Sequence, residues 1–179
     1  MPAGESDSLP DGKLNERRFS IFGMTKKVEK ERACETVAFA NPSEERIREI
    51  LEKAGNIAVV GLSDNPERTS HQVAKAMQER HYRIIPVNPT AEGKRILGER
   101  CYASLKDIPE PVDIVNVFRR SEYTPEIARE AARIGAKVLW LQQGIVNEEA
   151  ARIAEEAGMT VIMDQCIKVS DALLKPARA

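Results

Sequence analysis

From Asn56 onward the hydrophobic pattern of the chain alternates between short, largely apolar runs and helical stripes, and this alternation limits the fold more than any other feature. The runs are IAVVG (57–61), RIIPV (83–87), DIVNVF (113–118), KVLWL (137–141) and TVIM (160–163). Each is four to six residues long and rich in Val and Ile, so the strand it forms needs cover on both faces. Strand, helix and strand in repetition describe an α/β protein with a mostly parallel, doubly wound sheet, because right-handed crossovers leave few other topologies. A single domain with five to six strands is expected.

The helix ends are marked. Asn41-Pro42-Ser43-Glu44 reads as a helix start, with Asn41 as the capping residue, Pro42 at the first helical position and Glu44 bonding back. Ile47, Ile50, Leu51 and Ala54 then follow at the spacing of one buried face, and Gly55 ends the helix. Thr69 with Gln72 reads as a capping box ahead of Val73, Ala76 and Met77. Thr124-Pro125-Glu126 opens a helix carrying Ile127, Ala131 and Ile134 and closed by Gly135, and Asn147-Glu148-Glu149 opens one closed by Gly158. Between 92 and 111 the pattern is weaker: a short strand near 95–97 and one helical turn at 104–107 are expected.

Residues 1–40 have a different character. The opening MPAGESDSLPDG runs into RRFSIFGMTKKVEKER, where Ile21, Phe22 and Met24 are the clustered apolar groups. Such a segment buries too little surface to offset its conformational entropy, so a flexible arm over 1–40 is expected ahead of a domain over 41–176, with a targeting or docking peptide as the alternative. The chain has 179 residues, with 27 basic against 28 acidic side chains and a formal net charge of −1. That balance argues against a nucleic-acid or membrane-surface binder. No run approaches the ~20 apolar residues of a membrane span, and no apolar signal core follows the N-terminus. Cys34, Cys101 and Cys166 form neither a CxxC pair nor a Cys/His cluster, so no metal is expected and a reducing cytoplasm fits best.

In an open parallel sheet, ligands sit beyond the carboxyl ends of the strands. Residues just after each run are therefore the candidates: Gly61-Leu62-Ser63, Asn88-Pro89, Phe118-Arg119-Arg120, Gln142-Gln143-Gly144 and Asp164-Gln165-Cys166. The turn GLSDNPERTSH leads into a helix N-terminus, which favours an anion. Gly61 permits close backbone approach to a phosphate, Ser63 and Ser70 supply hydroxyls and Arg68 a positive fork. An ordinary strand-to-helix turn with a solvated Arg68 is the alternative. Ordinary NAD binding is disfavoured, because G-x-G-x-x-G is absent and Asn88 stands where a ribose-binding carboxylate belongs. Phe118 and Arg119 suit an adenine or a pantetheine-like arm and a phosphate, against the alternative of an exposed basic pair partnered by Glu122. Gln142 and Gly144 end the fourth run, where a plain turn is equally compatible. His71 and His81 read as helical and surface residues, Trp140 as core, and Cys166 as a half-buried thiol beside Asp164.

With these residues in place, the stretches VVGLSDNPERTSHQVAKAM, YRIIPVNP, ILGERCYASLKDIPEPVDIVNVFRR, IGAKVLWLQQGIVNEEAARIAEEAG and VIMDQCIK resemble the small CoA-binding Rossmann-fold proteins, a family similar to the N-terminal CoA-binding domain of the succinyl-CoA synthetase α subunit. The resemblance implies a Rossmann-like fold with coenzyme A or an acyl-CoA lying across the strand ends. Gly61, Ser63, Pro66, Arg68 and Ser70 would line the phosphate turn, Asn88 and Pro89 would border the nucleotide, Phe118 and Arg119 would flank it, and Gln142 with Gly144 would close the far side. One departure is Asp164-Gln165-Cys166, where the family commonly reads Asp-Arg-Cys. The phosphorylated histidine of the synthetase belongs to a further domain, and neither His71 nor His81 replaces it.

The expectation is therefore a stand-alone CoA-binding module with no catalytic residues. An NAD(P)- or CoA-dependent enzyme using Cys166 or a partner-supplied residue is the alternative. A homo-oligomer or a partner enzyme subunit is left open.

Overall fold

The computed structural model describes residues 39–175. The arm expected over 1–40 falls, apart from its last two residues, outside the described residues. Helix α1 (Glu44–Lys53) leads into β1 (Asn56–Val60), α2 (Thr69–Glu79) and β2 (Arg83–Val87). A hairpin of β3 (Arg95–Ile96) and β4 (Glu99–Arg100) follows, then β5 (Ile114–Val117), α3 (Thr124–Arg133), β6 (Val138–Leu141), α4 (Glu148–Glu156), β7 (Thr160–Ile162) and α5 (Ile167–Leu174). Five strands form one parallel sheet in the order β2-β1-β5-β6-β7. All five expected runs are these strands.

Alternation along each strand divides the core. Ile57, Val59, Ile114, Val138, Trp140 and Ile162 pack with Leu51 of α1, Met77 of α2 and Ile167 of α5 on one face. Ala58, Val60, Val115, Val117, Leu139 and Val161 pack on the other with Ala128 and Ala131 of α3 and Ala150 and Ala154 of α4. The alanines let these two helices lie close to each other and to the sheet.

Three local expectations are corrected. Ser43, not Asn41, caps α1, its Oγ accepting from Arg46 N at 3.3 Å. Asn41 instead exchanges two hydrogen bonds of 2.8 Å with the Met163 backbone, binding the incoming chain to the end of the edge strand. Thr69 is the first helical residue of α2 and not its cap, because Arg68 occupies the cap position and makes no side-chain capping bond.

Helix α5 is not expected from the sequence. It is anchored by Asp171, which is 0% exposed and pairs with Arg80 and with the Tyr82 hydroxyl at 2.6 Å. A buried carboxylate is tolerated only when so compensated. Among the described residues no helix is long and apolar enough to cross a membrane.

Candidate functional site at the carboxyl ends of the strands

The chain adds β2 on one side of β1 and then crosses to build β5, β6 and β7 on the other, so the direction of winding reverses between β1 and β5. A crevice forms at such a reversal. Gly61 and Phe118 stand on its two sides. Gly61 N donates to Val87 O and Phe118 N to Val60 O, each at 2.8 Å, which carries the ladder one residue past the strands. Gly61 has φ +87°, and a Cβ there would lie 2.6 Å from the Phe118 carbonyl oxygen and 3.3 Å from Arg119 Nε. Only glycine fits, and Arg119 lies directly over it.

The loop after Gly61 is held from within. Ser63 N donates to Ser70 Oγ at 3.2 Å, Asn65 N to Ser63 Oγ at 3.1 Å and Glu67 N to Asn65 Oδ1 at 2.9 Å. His71 Nδ1 lies 2.9 Å from the Ser63 carbonyl oxygen, so that nitrogen carries the proton. Asn88 is a strut between turns: its Nδ2 donates to Leu62 O at 2.9 Å, and its Oδ1 accepts from Thr90 N and Oγ1. Pro66 and Arg68 lie exposed on the outer rim, and Pro89 begins an exposed helical turn. With no side-chain cap on α2, its first turn faces this rim with its dipole unopposed.

The cationic groups differ in their partners. Among the described residues Arg68 and Arg119 have no acidic partner, whereas Arg120 is 4.0 Å from Glu122. A cleft of about 500 Å³ opens beside Arg119, lined by Thr69, Phe118, Arg119, Arg120, Gln142, Gln143, Ile145 and Cys166. It brings together Phe118, Arg119 and Gln142 of the expected set. Gly61, Ser63, Pro66, Arg68, Ser70, Asn88, Pro89 and Gly144 do not line it.

The far wall is likewise braced. Gln142 is buried and donates from Nε2 to Asn116 Oδ1 at 2.6 Å, Gly144 N donates to Asp164 Oδ1 at 2.6 Å, and Trp140 Nε1 donates to Gln165 O at 2.8 Å. Trp140 is core, as expected, and also positions the turn that bears Cys166. Thr69, read as a cap, and Ile145, not read at all, are the cleft residues that sequence reasoning missed. The signal for Ile145 is its place directly after Gly144, which takes φ 81° at the turn.

A second cleft of about 500 Å³ lies at the opposite end of the strands, among Arg46, Lys53, Asp113, Lys137, Gly135, Gly158 and Met159. The carboxyl ends of α1, α3 and α4 border it, and their dipoles disfavour an anion. Asp113 belongs to this end. It accepts from Lys137 Nζ at 2.7 Å, Gly55 N at 2.9 Å and Asn56 N at 3.1 Å. Burial pushes its carboxyl up, but the Lys137 ammonium and the two N–H groups outweigh it and hold it below the usual aspartate range. No cluster able to hold a metal occurs among the described residues.

Fold and switch point define a Rossmann-like α/β domain. The chain belongs to the CoA-binding domain family, whose model matches residues 55–172. It is similar to the protein YneT of Bacillus subtilis, 57% identical over 135 residues that cover 75% of this chain and 98% of that protein. A solved structure, cell-free ID.343 from Thermus thermophilus, superposes with a TM-score of 0.72 at 36% identity, covering 74% of this chain and 99% of that one. The domain is also related to a larger enzyme. An ADP-forming acetate–CoA ligase of Archaeoglobus fulgidus is 29% identical over 102 residues, 56% of this chain but 15% of the ligase.

Proposed function

We propose that this chain binds CoA or an acyl-CoA across the carboxyl ends of β1, β5 and β6, as a stand-alone binding module with no catalytic constellation among the described residues. The observation that carries the reading is Arg119, a guanidinium with no acidic partner among the described residues, lying over the backbone of Gly61 at the switch point. An arginine left unpaired beside a helix N-terminus suits a phosphate ester. CoA brings a pyrophosphate and a 3′-phosphate to such a place. Arg68, Ser63 and Ser70 would face the phosphates from the first turn, with Pro66, Asn88 and Pro89 shaping the nucleotide side. Phe118 would cover the ring or arm, and Gln142 and Gly144 would bound the far end.

The relationship to the acetate–CoA ligase supports ligand class and not reaction, because the match involves a small part of that enzyme. Calorimetry on ligand-free protein tests the reading. Saturable CoA binding that exceeds that of dephospho-CoA and of plain adenine nucleotides is expected. Failure to bind CoA under conditions where an adenine nucleotide binds would overturn it.

A further inference from the structure

The cleft at the carboxyl ends of the strands changes character along its length. Its lining follows the order of the sheet: Thr69 comes from the connection after β1, Arg119 and Arg120 from the end of β5, Gln142 and Ile145 from the end of β6, and Cys166 from beyond β7. Neighbouring strands stand about 4.8 Å apart, so this lining crosses about 14 Å of sheet. Both guanidinium groups and the start of α2, which has no side-chain cap, belong to the β1–β5 half, whereas no Arg, Lys, Asp or Glu lines the β6–β7 half. A ligand with phosphates at one end is thereby oriented, its anionic end over β1 and β5 and its other end over β6 and β7.

The rim beyond the uncharged half is apolar. Ile145 lines the cleft, and Val146, next to it in the chain, is 51% exposed. Tyr123, 56% exposed, ends the helical turn Ser121–Tyr123 that directly follows Arg120 of the cleft wall. Asn147 Nδ2 donates to Ser121 O at 2.9 Å and ties these two turns together. Among the described residues four large apolar side chains stand exposed, and two of them share this rim; Val169 and Leu173 lie on α5. The charge at the rim is negative. Asp164, whose Oδ1 accepts from Gly144 N at 2.6 Å, and Glu148, two residues after Val146, have no cationic partner among the described residues. Arg120 and Arg129 already face Glu122 and Glu149. Such a rim accepts an aliphatic group and repels a second carboxylate.

Resting on the CoA reading above, we propose that the preferred ligand is a CoA thioester of a neutral aliphatic acid, its acyl group lying along Ile145, Val146 and Tyr123. Phosphates over β1 and β5 and an acyl group beyond β6 give a single molecule both halves of the cleft. Free CoA leaves the apolar rim in water. A dicarboxylic acyl group brings its free carboxylate against Asp164 and Glu148.

Titration calorimetry on the full chain compares CoA, hexanoyl-CoA and succinyl-CoA. Hexanoyl-CoA is expected to bind about tenfold more tightly than CoA, since a rim open on one side covers only part of the acyl chain. Succinyl-CoA is expected to bind no more tightly than CoA. The double variant Y123S/V146S changes two exposed side chains and should erase the hexanoyl advantage while leaving CoA affinity and the urea midpoint unchanged. If hexanoyl-CoA binds no better than CoA, if succinyl-CoA binds as well as hexanoyl-CoA, or if the double variant keeps the advantage, the acyl assignment is overturned while the CoA reading stands. Sedimentation of both proteins reads the competing occupant: a wild-type dimer that the double variant dissolves assigns the rim to a second copy and overturns the acyl assignment too. If neither CoA nor hexanoyl-CoA binds, both readings fall.

Discussion

Gly61 and the Phe118 carbonyl oxygen approach so closely that a Cβ on Gly61 would sit 2.6 Å from that oxygen. The contact joins the ends of β1 and β5 at the reversal of winding. A side chain there meets two penalties, the left-handed backbone at φ +87° and a collision with main chain that cannot rotate away. G61A is therefore expected to lower stability by about 1–3 kcal/mol, read from urea denaturation. It should also abolish the proposed CoA binding, because Arg119 and the Phe118 backbone must move to admit the methyl group. A variant that binds CoA normally would show that this contact does not shape the site.

The two neighbouring arginines make different predictions. Among the described residues Arg119 has no acidic partner, and it lies over Gly61, while Arg120 points toward Glu122. R119A should weaken CoA binding by about tenfold or more, the loss of one charge-assisted contact, and should flatten its salt dependence. R120A should change affinity less than about threefold, because an exposed pair contributes little. Titration calorimetry at two salt concentrations distinguishes them.

At the opposite end of the sheet, Asp113 gives a pH dependence. Its carboxyl is held below the ordinary aspartate value of 3.8 by Lys137 and the N–H groups of Gly55 and Asn56, working against burial. A carboxyl depressed in the folded state contributes stability that is fully present above its ordinary value and is lost as pH falls through the lower, folded one. Urea midpoints should therefore drop below about pH 4, and D113N should be less stable near neutral pH with a shallower acid limb. CoA affinity should be unchanged in D113N, since the residue is remote from the cleft.

Much of the fold could be read because a parallel strand covered on both sides must be apolar nearly throughout, and such runs stand out against helical spacing. RIIPV is the β2 strand itself, and Asn147 caps α4 as expected, its Oδ1 accepting from Ala150 N at 2.9 Å. What escaped depends on distant partners. Nothing local says that Asn41 will bond to Met163 and leave the cap to Ser43, or that Asp171 will be buried against Arg80 and Tyr82 to secure α5. The hairpin of β3 and β4 is half visible: a short strand near 95–97 is expected, but the strand ends at Ile96 and its return requires Leu97 at φ 54° as well as Gly98 at φ 82°. Strand-end position singled out Phe118, Arg119 and Gln142, which line the cleft. It did not show that Ser63, Ser70 and Asn88 already bond to one another's turns, nor that Ile145 lines the cleft.

The Asn41 clamp is testable by itself. N41A removes two hydrogen bonds to the Met163 backbone and leaves a partly buried N–H unpaired, a loss of about 1–3 kcal/mol. Denaturant unfolding reads it directly. Loss well below that range would mean that water replaces the clamp.

The most direct measurement is backbone amide shift mapping during a CoA titration, because clefts of similar volume lie at opposite ends of one sheet among the described residues. Saturable shifts confined to Gly61, Ser63, Phe118, Arg119, Gln142, Gly144 and Cys166 are predicted. Shifts centred on Lys137, Gly158 and Met159, or no saturable shifts at all, would contradict the placement of the ligand at the carboxyl ends of the strands.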